Sequence, residues 1–169
     1  LATMALGIGP GDAVIVPAIT FLATANAVRY EGAEVIFSDV DAETGLMTPD
    51  TLKDTISKNS GRNIKAVYPV HLTGQCVDLS KIKDVAADRG FKIVADSCHA
   101  IGGLVNGSAV GACRYEDISV FSFHPVKTVA SGEGGCLVTN DEAIAMRAKS
   151  LRSHCTNPAP DVGPWAYRV

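Results

Sequence analysis

Residues 13–40 read AVIVPAITFLATANAVRYEGAEVIFSDV, and this stretch decides the fold class. Ala13 to Pro17 form a short β-branched run behind the turn cluster Gly9-Pro10-Gly11-Asp12, which predicts a strand. From Thr20 to Tyr30 the spacing is helical, with Thr20 placed as the N-cap and Gly32 as the residue that ends the helix. Glu34 to Val40 is a second strand. Strand, helix and strand follow one another without a long linker.

The alternation continues downstream. Thr48-Pro49 opens a helix to about Lys58, because proline suits the first helical position. Ile64 to Val70 is a third strand. Asp78 caps a helix that runs to Arg89 and stops at Gly90. Phe91 to Asp96 is a fourth strand, Ile118 to Phe123 a fifth and Gly135 to Asn140 a sixth, before a helix from Asp141 to Ser153. Strands alternating with helices predict an α/β sheet that is largely parallel in its first half. The last two strands lie too close in sequence for a parallel pairing to be required. The opening residues read as the end of a helix already under way, so residues 1–155 are expected to form a large domain without its N-terminal part. The proline-rich segment 156–169 is expected to be a loop toward a small C-terminal domain outside the chain.

Composition narrows the function. With 47% hydrophobic and 20% charged residues, the chain has the balance of a soluble globular protein. A net charge of -3, with basic residues scattered among acids, offers no face for nucleic acid. No apolar run is long enough to cross a bilayer. The five cysteines are odd in number and form no CxxC pair, which argues against a disulfide framework or a metal site and for reduced thiols in the cytoplasm.

Ligands on open α/β sheets bind beyond the carboxyl ends of the strands. Asp96 closes the fourth strand, Ser122 and His124 close the fifth, and Lys127 lies just beyond; Tyr68 and His71 lie near the end of the third. Lys127 sits in FSFHPVKTVASGEGG, where the glycines let the chain approach a bound group closely. An amine with a lowered pKa is a nucleophile toward a carbonyl. Taken without its flanks, the same lysine reads as a solvated surface residue.

The flanks carry a resemblance. SFHPVKTVASGEGG resembles the lysine segment of the DegT/DnrJ/EryC1/StrS sugar aminotransferases. It matches their SFHxxKxxxxGEGG pattern at Ser122, Phe123, His124, Lys127, Gly132, Glu133, Gly134 and Gly135. ALGIGPGDAVIVPAITFLATANAV, GAEVIFSDVD, YPVHLTGQ, VADSCHAIGG and LRSH extend the resemblance along nearly the whole chain. It implies the large domain of the fold-type I pyridoxal-phosphate transferases: a mixed, mostly parallel sheet flanked by helices in three αβα layers.

It also implies roles. Lys127 is the Schiff-base lysine for pyridoxal 5′-phosphate and the proton carrier of transamination. Asp96 faces the pyridine nitrogen and keeps it protonated. His99 matches a position occupied by His or Gln near the cofactor's phenolic oxygen, against the lesser alternative of a satisfied core histidine. Phe21 matches an aromatic that stacks on the ring, against the alternative of helix core, and Thr20 borders the same pocket. Ser122 matches a serine that binds the phosphate. The family's other phosphate contacts come from a helix N-terminus expected before residue 1.

LRSHC followed by PWAYRV resembles the LRSHG…PWxYE stretch of transaminases acting on nucleotide-linked 4-keto sugars. Cys155 stands where glycine is usual and Arg168 where an acid is usual. The implied partners are a nucleotide-linked keto sugar, an amino-acid donor (glutamate) and a second copy of the full-length chain, in bacterial polysaccharide or amino-sugar synthesis. His71, Arg152 and His154 are candidates to reach substrate; a solvated helix end explains the last two equally well. Two other readings stay open. A dehydratase of the same fold is disfavoured because that branch replaces the lysine with histidine. A non-catalytic cofactor-binding regulator is not excluded by the motif.

Overall fold

The structure, a computed structural model, describes residues 1–155. The segment read as a terminal loop, 156–169, lies outside them. The elements in chain order are α1 (Ala2–Ala5), β1 (Ala13–Pro17), α2 (Leu22–Tyr30), β2 (Glu34–Ser38), α3 (Pro49–Lys58), β3 (Ile64–Val67), α4 (Leu79–Ala87), β4 (Lys92–Asp96), β5 (Leu104–Val105), β6 (Ser108–Ala109), β7 (Ile118–Ser122), β8 (Gly135–Val138) and α5 (Glu142–Arg152). Six strands make one sheet in the order β2-β1-β3-β4-β7-β8. All neighbours are parallel except β7 and β8, which run antiparallel.

Every residue of β1 is buried, as expected for a central strand covered on both faces. Alternation then divides its side chains. Ala13 and Ile15 pack with Leu52 and Ile56 of α3 and Leu79, Ile82 and Val85 of α4. Val14 and Val16 pack with Ala5 of α1, Val28 of α2 and Ile144 and Ala148 of α5. The result is three layers, helix on sheet on helix, with a separate core on each side.

The caps follow the chemistry of the sequence. Thr51 N–H donates to Thr48 Oγ1 while Thr48 N–H donates to Thr51 Oγ1, closing a capping box at α3. Asp78 accepts from Lys81 N–H at α4, and Asp141 accepts from Ala143 and Ile144 N–H at α5.

Three local expectations are corrected. β3 stops at Val67 rather than Val70, because Pro69 has no N–H for the ladder; only a single bridge, Val70 to Asp96, follows. The N-cap of α2 is Phe21, not Thr20, and no side chain caps it: the Thr20 hydroxyl is engaged with Thr24 instead. A small hairpin, β5–β6, fills the stretch between the fourth and fifth expected strands. Its turn, Asn106-Gly107, has φ of 48° and 74°, the positive values a two-residue turn of this kind requires.

The order β2-β1-β3 reverses direction at β1, so the crevice between the carboxyl ends of β1 and β3 is where such sheets hold ligands. Among the described residues no helix is long and apolar enough to cross a membrane.

Candidate active site

Asp96 ends β4 with its side chain on the α2 side of the sheet. Thr24, in the first turn of α2 and 6% exposed, donates its hydroxyl to Asp96 Oδ2 at 2.8 Å. Thr20 Oγ1 lies 2.8 Å from Thr24 Oγ1. Since the Thr24 proton goes to the carboxylate, Thr20 is the donor of that second bond. Cys98 N–H donates to Asp96 Oδ1 at 3.2 Å. The carboxylate is therefore held by neutral donors, and among the described residues no lysine or arginine forms an ion pair with it.

A cavity of about 440 Å³ opens over this group, lined by Thr24, Tyr68, Asp96, Cys98, Phe121 and Cys136 among others. Tyr68 donates to Thr3 Oγ1 at 3.1 Å, and burial pushes its hydroxyl up to about 12, so it stays protonated. A second cavity of about 300 Å³ is lined by Thr73, Cys98, His99, Val126, Lys127 and Thr128. Cys98 borders both, and its thiol feels the charges of both Asp96 and Lys127. Burial first, and then Asp96, raise that thiol to about 12, which leaves it a neutral wall between them.

Lys127 is half-buried in a turn, with its N–H donating to His124 O at 2.9 Å. Ser131 N–H and Phe123 N–H close the same loop onto Phe123 O and Gly134 O. Ser122 Oγ accepts from His124 N–H at 3.3 Å, at the end of β7. The glycine pair of the motif has a steric cause: a Cβ on Gly135 would lie 2.7 Å from Phe121 O across the β7–β8 ladder.

His99 is half-buried beside Lys127, its Nδ1 accepting from Thr73 N–H at 3.2 Å. Phe21 is 63% exposed, which removes helix-core packing as its role. The remaining candidates fall elsewhere. His71 is 1% exposed, with Nδ1 accepting from Val77 N–H at 3.0 Å and burial lowering its pKa, the setting of a neutral core residue. Arg152 lines a neighbouring cavity with Leu1, Gly135 and Cys136, not those of Asp96 or Lys127. His154 is exposed. Both His154 and Cys155 have φ of 57°, so the chain keeps at Cys155 the left-handed backbone that glycine would take without strain.

Thr24, Cys98 and Thr73 were not among the sequence candidates. For Thr24 a signal existed, its i, i+4 spacing from Thr20 on one helix face. Thr73 lies within the YPVHLTGQ stretch of the resemblance, which gave it no role of its own.

The donor set suits pyridoxal phosphate. A carboxylate without a cation of its own can take a ring N–H, and a half-buried amine can take a carbonyl.

The comparisons agree with this chemistry. The chain is 43% identical over 155 residues to the UDP-N-acetyl-3-dehydro-α-D-glucosamine 3-aminotransferase of Acidithiobacillus ferrooxidans, covering 91% of this chain and 40% of that protein. An aminotransferase from Psychrobacter cryohalolentis superposes with a TM-score of 0.88 at 32% identity, over 99% of this chain and 42% of its own. NtdA of Bacillus subtilis, solved with its bound cofactor PMP, gives 0.84 at 30% identity, over 99% of this chain and 36% of its own. The chain thus spans about two-fifths of the length of the proteins it matches. The sequence pattern of one family runs through residues 1–165, from before β1 to beyond α5, and the chain belongs to that family, the DegT/DnrJ/EryC1/StrS aminotransferases.

Proposed function

We propose that the full-length protein is a pyridoxal-phosphate-dependent transaminase. In this reading it moves an amino group from an amino acid, glutamate, to the keto group of a nucleotide-linked sugar. It works as a homodimer in the cytoplasm, in the synthesis of surface polysaccharide or of amino sugars. The observation that carries the reading is Asp96, held by Thr24 and Cys98 N–H without a cation, in a cavity that shares Cys98 with the cavity of Lys127.

Bound pyridoxal phosphate supplies the carbonyl that exchanges amines and the ring that accepts electrons. Everything else falls to the chain. Asp96 accepts the ring N–H and keeps that proton in place, while Thr24 and the Cys98 amide fix the direction of its carboxylate. Phe21 covers the ring face. Ser122 donates to the phosphate. The Lys127 amine would hold the cofactor's carbonyl and, when free, would take up a proton and give one back as a positioned general base and acid.

The substrate carbonyl is taken from the relative's printed name, which describes a UDP-linked 3-dehydro sugar. The test is amine transfer by the full-length enzyme from glutamate to a UDP-linked 3-keto sugar, compared with a 4-keto sugar. Lys127→Ala should lower turnover by at least ~10³-fold. Turnover within tenfold of wild type would remove Lys127 from the chemistry.

A further inference from the structure

Three of the four histidines turn Nδ1 toward a main-chain amide: Val77 N–H to His71, Thr73 N–H to His99 and Val126 N–H to His124. A ring nitrogen that accepts carries no proton, so a neutral ring in this setting bears its proton on Nε2. Two of the three amides come from a single short loop, His71–Val77.

That loop is strained. Thr73 has φ 55° and ψ 18°, a left-handed conformation that a β-branched residue adopts only at a cost. The next residue, Gly74, has φ 89°, and a Cβ there would lie 3.3 Å from His99 O. The turn is pinned by Gly74 N–H donating to His71 O at 3.3 Å and Gln75 N–H donating to Leu72 O at 2.9 Å. It therefore holds the His99 ring through the Thr73 amide, and it runs close enough to the His99 carbonyl that a side chain at Gly74 would crowd it. His99 Nε2 has no hydrogen-bond partner among the described residues, and the ring lines one cavity with Thr73 and Lys127.

We propose that Thr73 is a positioning residue for amine transfer, its strained amide fixing His99 as the Nε2–H tautomer so that a neutral donor faces the cavity of Lys127. The opposite tautomer would present a lone pair there, and a doubly protonated ring would lose the Thr73 bond. By the family resemblance that donor would meet the cofactor's phenolic oxygen; the role of the Thr73 amide in fixing it is the new assignment. The meeting with that oxygen rests on the transaminase reading; the tautomer does not.

Nitrogen NMR of the imidazoles in the cofactor-loaded, full-length enzyme reads the tautomer directly, with His99→Gln identifying the His99 signals. The expected result is a proton on Nε2 and a bare Nδ1 coupled through the hydrogen bond to the Thr73 amide. A proton on Nδ1, or no coupling to Thr73, would overturn the proposal. Kinetics give a second arm. Glutamine carries a donor at the reach of Nε2, whereas asparagine can take the Thr73 amide but falls short of the cavity. His99→Asn should lower kcat by ~10²-fold with KM for the amino donor within about threefold, and His99→Gln should recover at least ~10-fold of that loss. Equal losses in the two variants would also overturn it. A wild-type enzyme that transfers no amine would count against the transaminase reading alone, and the NMR result would still decide this one.

Discussion

The bond from Thr24 Oγ1 to Asp96 Oδ2, 2.8 Å long and shielded by α2, is the most consequential contact that the motif reading left out. Thr24→Val keeps the shape of the side chain and removes the donor. A hydrogen bond to a charged group is worth ~1.5–3 kcal/mol, so pyridoxal phosphate should bind the full-length variant about tenfold more weakly. Titration of the cofactor by absorbance measures this, and an affinity within twofold of wild type would mean that Asp96 is oriented by something else. The strand-end places of Asp96 and Ser122, with Lys127 just beyond, were legible because β-branched runs mark β4 and β7. The burial of His71 was not legible, because sequence places it near a strand end but says nothing about which way the ring turns; the structure turns it into the core, where burial favours the neutral ring. Thr73 was invisible because its role comes from its backbone.

The elements themselves were readable where capping chemistry marks them, and less so where one proline or one turn decides. Pro69 ends β3 early, and Asn106-Gly107 folds a hairpin between β4 and β7 although the pair is a strong turn signal in its own right. That hairpin is tied to α4 through Asp78, whose carboxylate accepts from Ser80 Oγ, from Asn106 Nδ2 at 3.0 Å and from Lys81 N–H. Loss of an N-cap costs about 1 kcal/mol, so Asp78→Ala should destabilise the full-length protein by about that amount in denaturant titrations. The pH dependence has a definite sign. The Ser80 hydroxyl foremost, with Asn106 and Lys81, holds Asp78 down at about 2 against an ordinary 3.8. A carboxyl depressed in the folded state stabilises the fold above its ordinary pKa, and that contribution is lost as pH falls through its folded value. The gap between wild type and variant should be constant above pH ~4 and close on the way down to pH ~2. A gap that persists unchanged at the acid end would show that Asp78 does not act as a charged cap.

Over the molecule as a whole, two cores on either face of one sheet hold the carboxyl ends of β1, β3, β4 and β7 together, and with them Phe21, Asp96 and Lys127. Ile15 is fully buried between β1 and the α3–α4 layer. Ile15→Ala should cost ~2–5 kcal/mol, while Phe37→Ala, at a side chain 60% exposed on the edge strand β2, should cost far less; thermal melts that rank the two the other way would contradict the burial seen here. The parallel α/β arrangement was legible because β-branched runs and amphipathic helices alternate; the order of the strands was not, since pairing depends on contacts far apart in sequence. What unites these levels is the claim that the amine of Lys127 is the one that binds pyridoxal phosphate. Borohydride reduction of the cofactor-loaded, full-length enzyme, followed by peptide mapping, tests it most directly: the pyridoxyl group should be found on the Lys127 peptide, and its recovery on another lysine, or on none, would contradict the account.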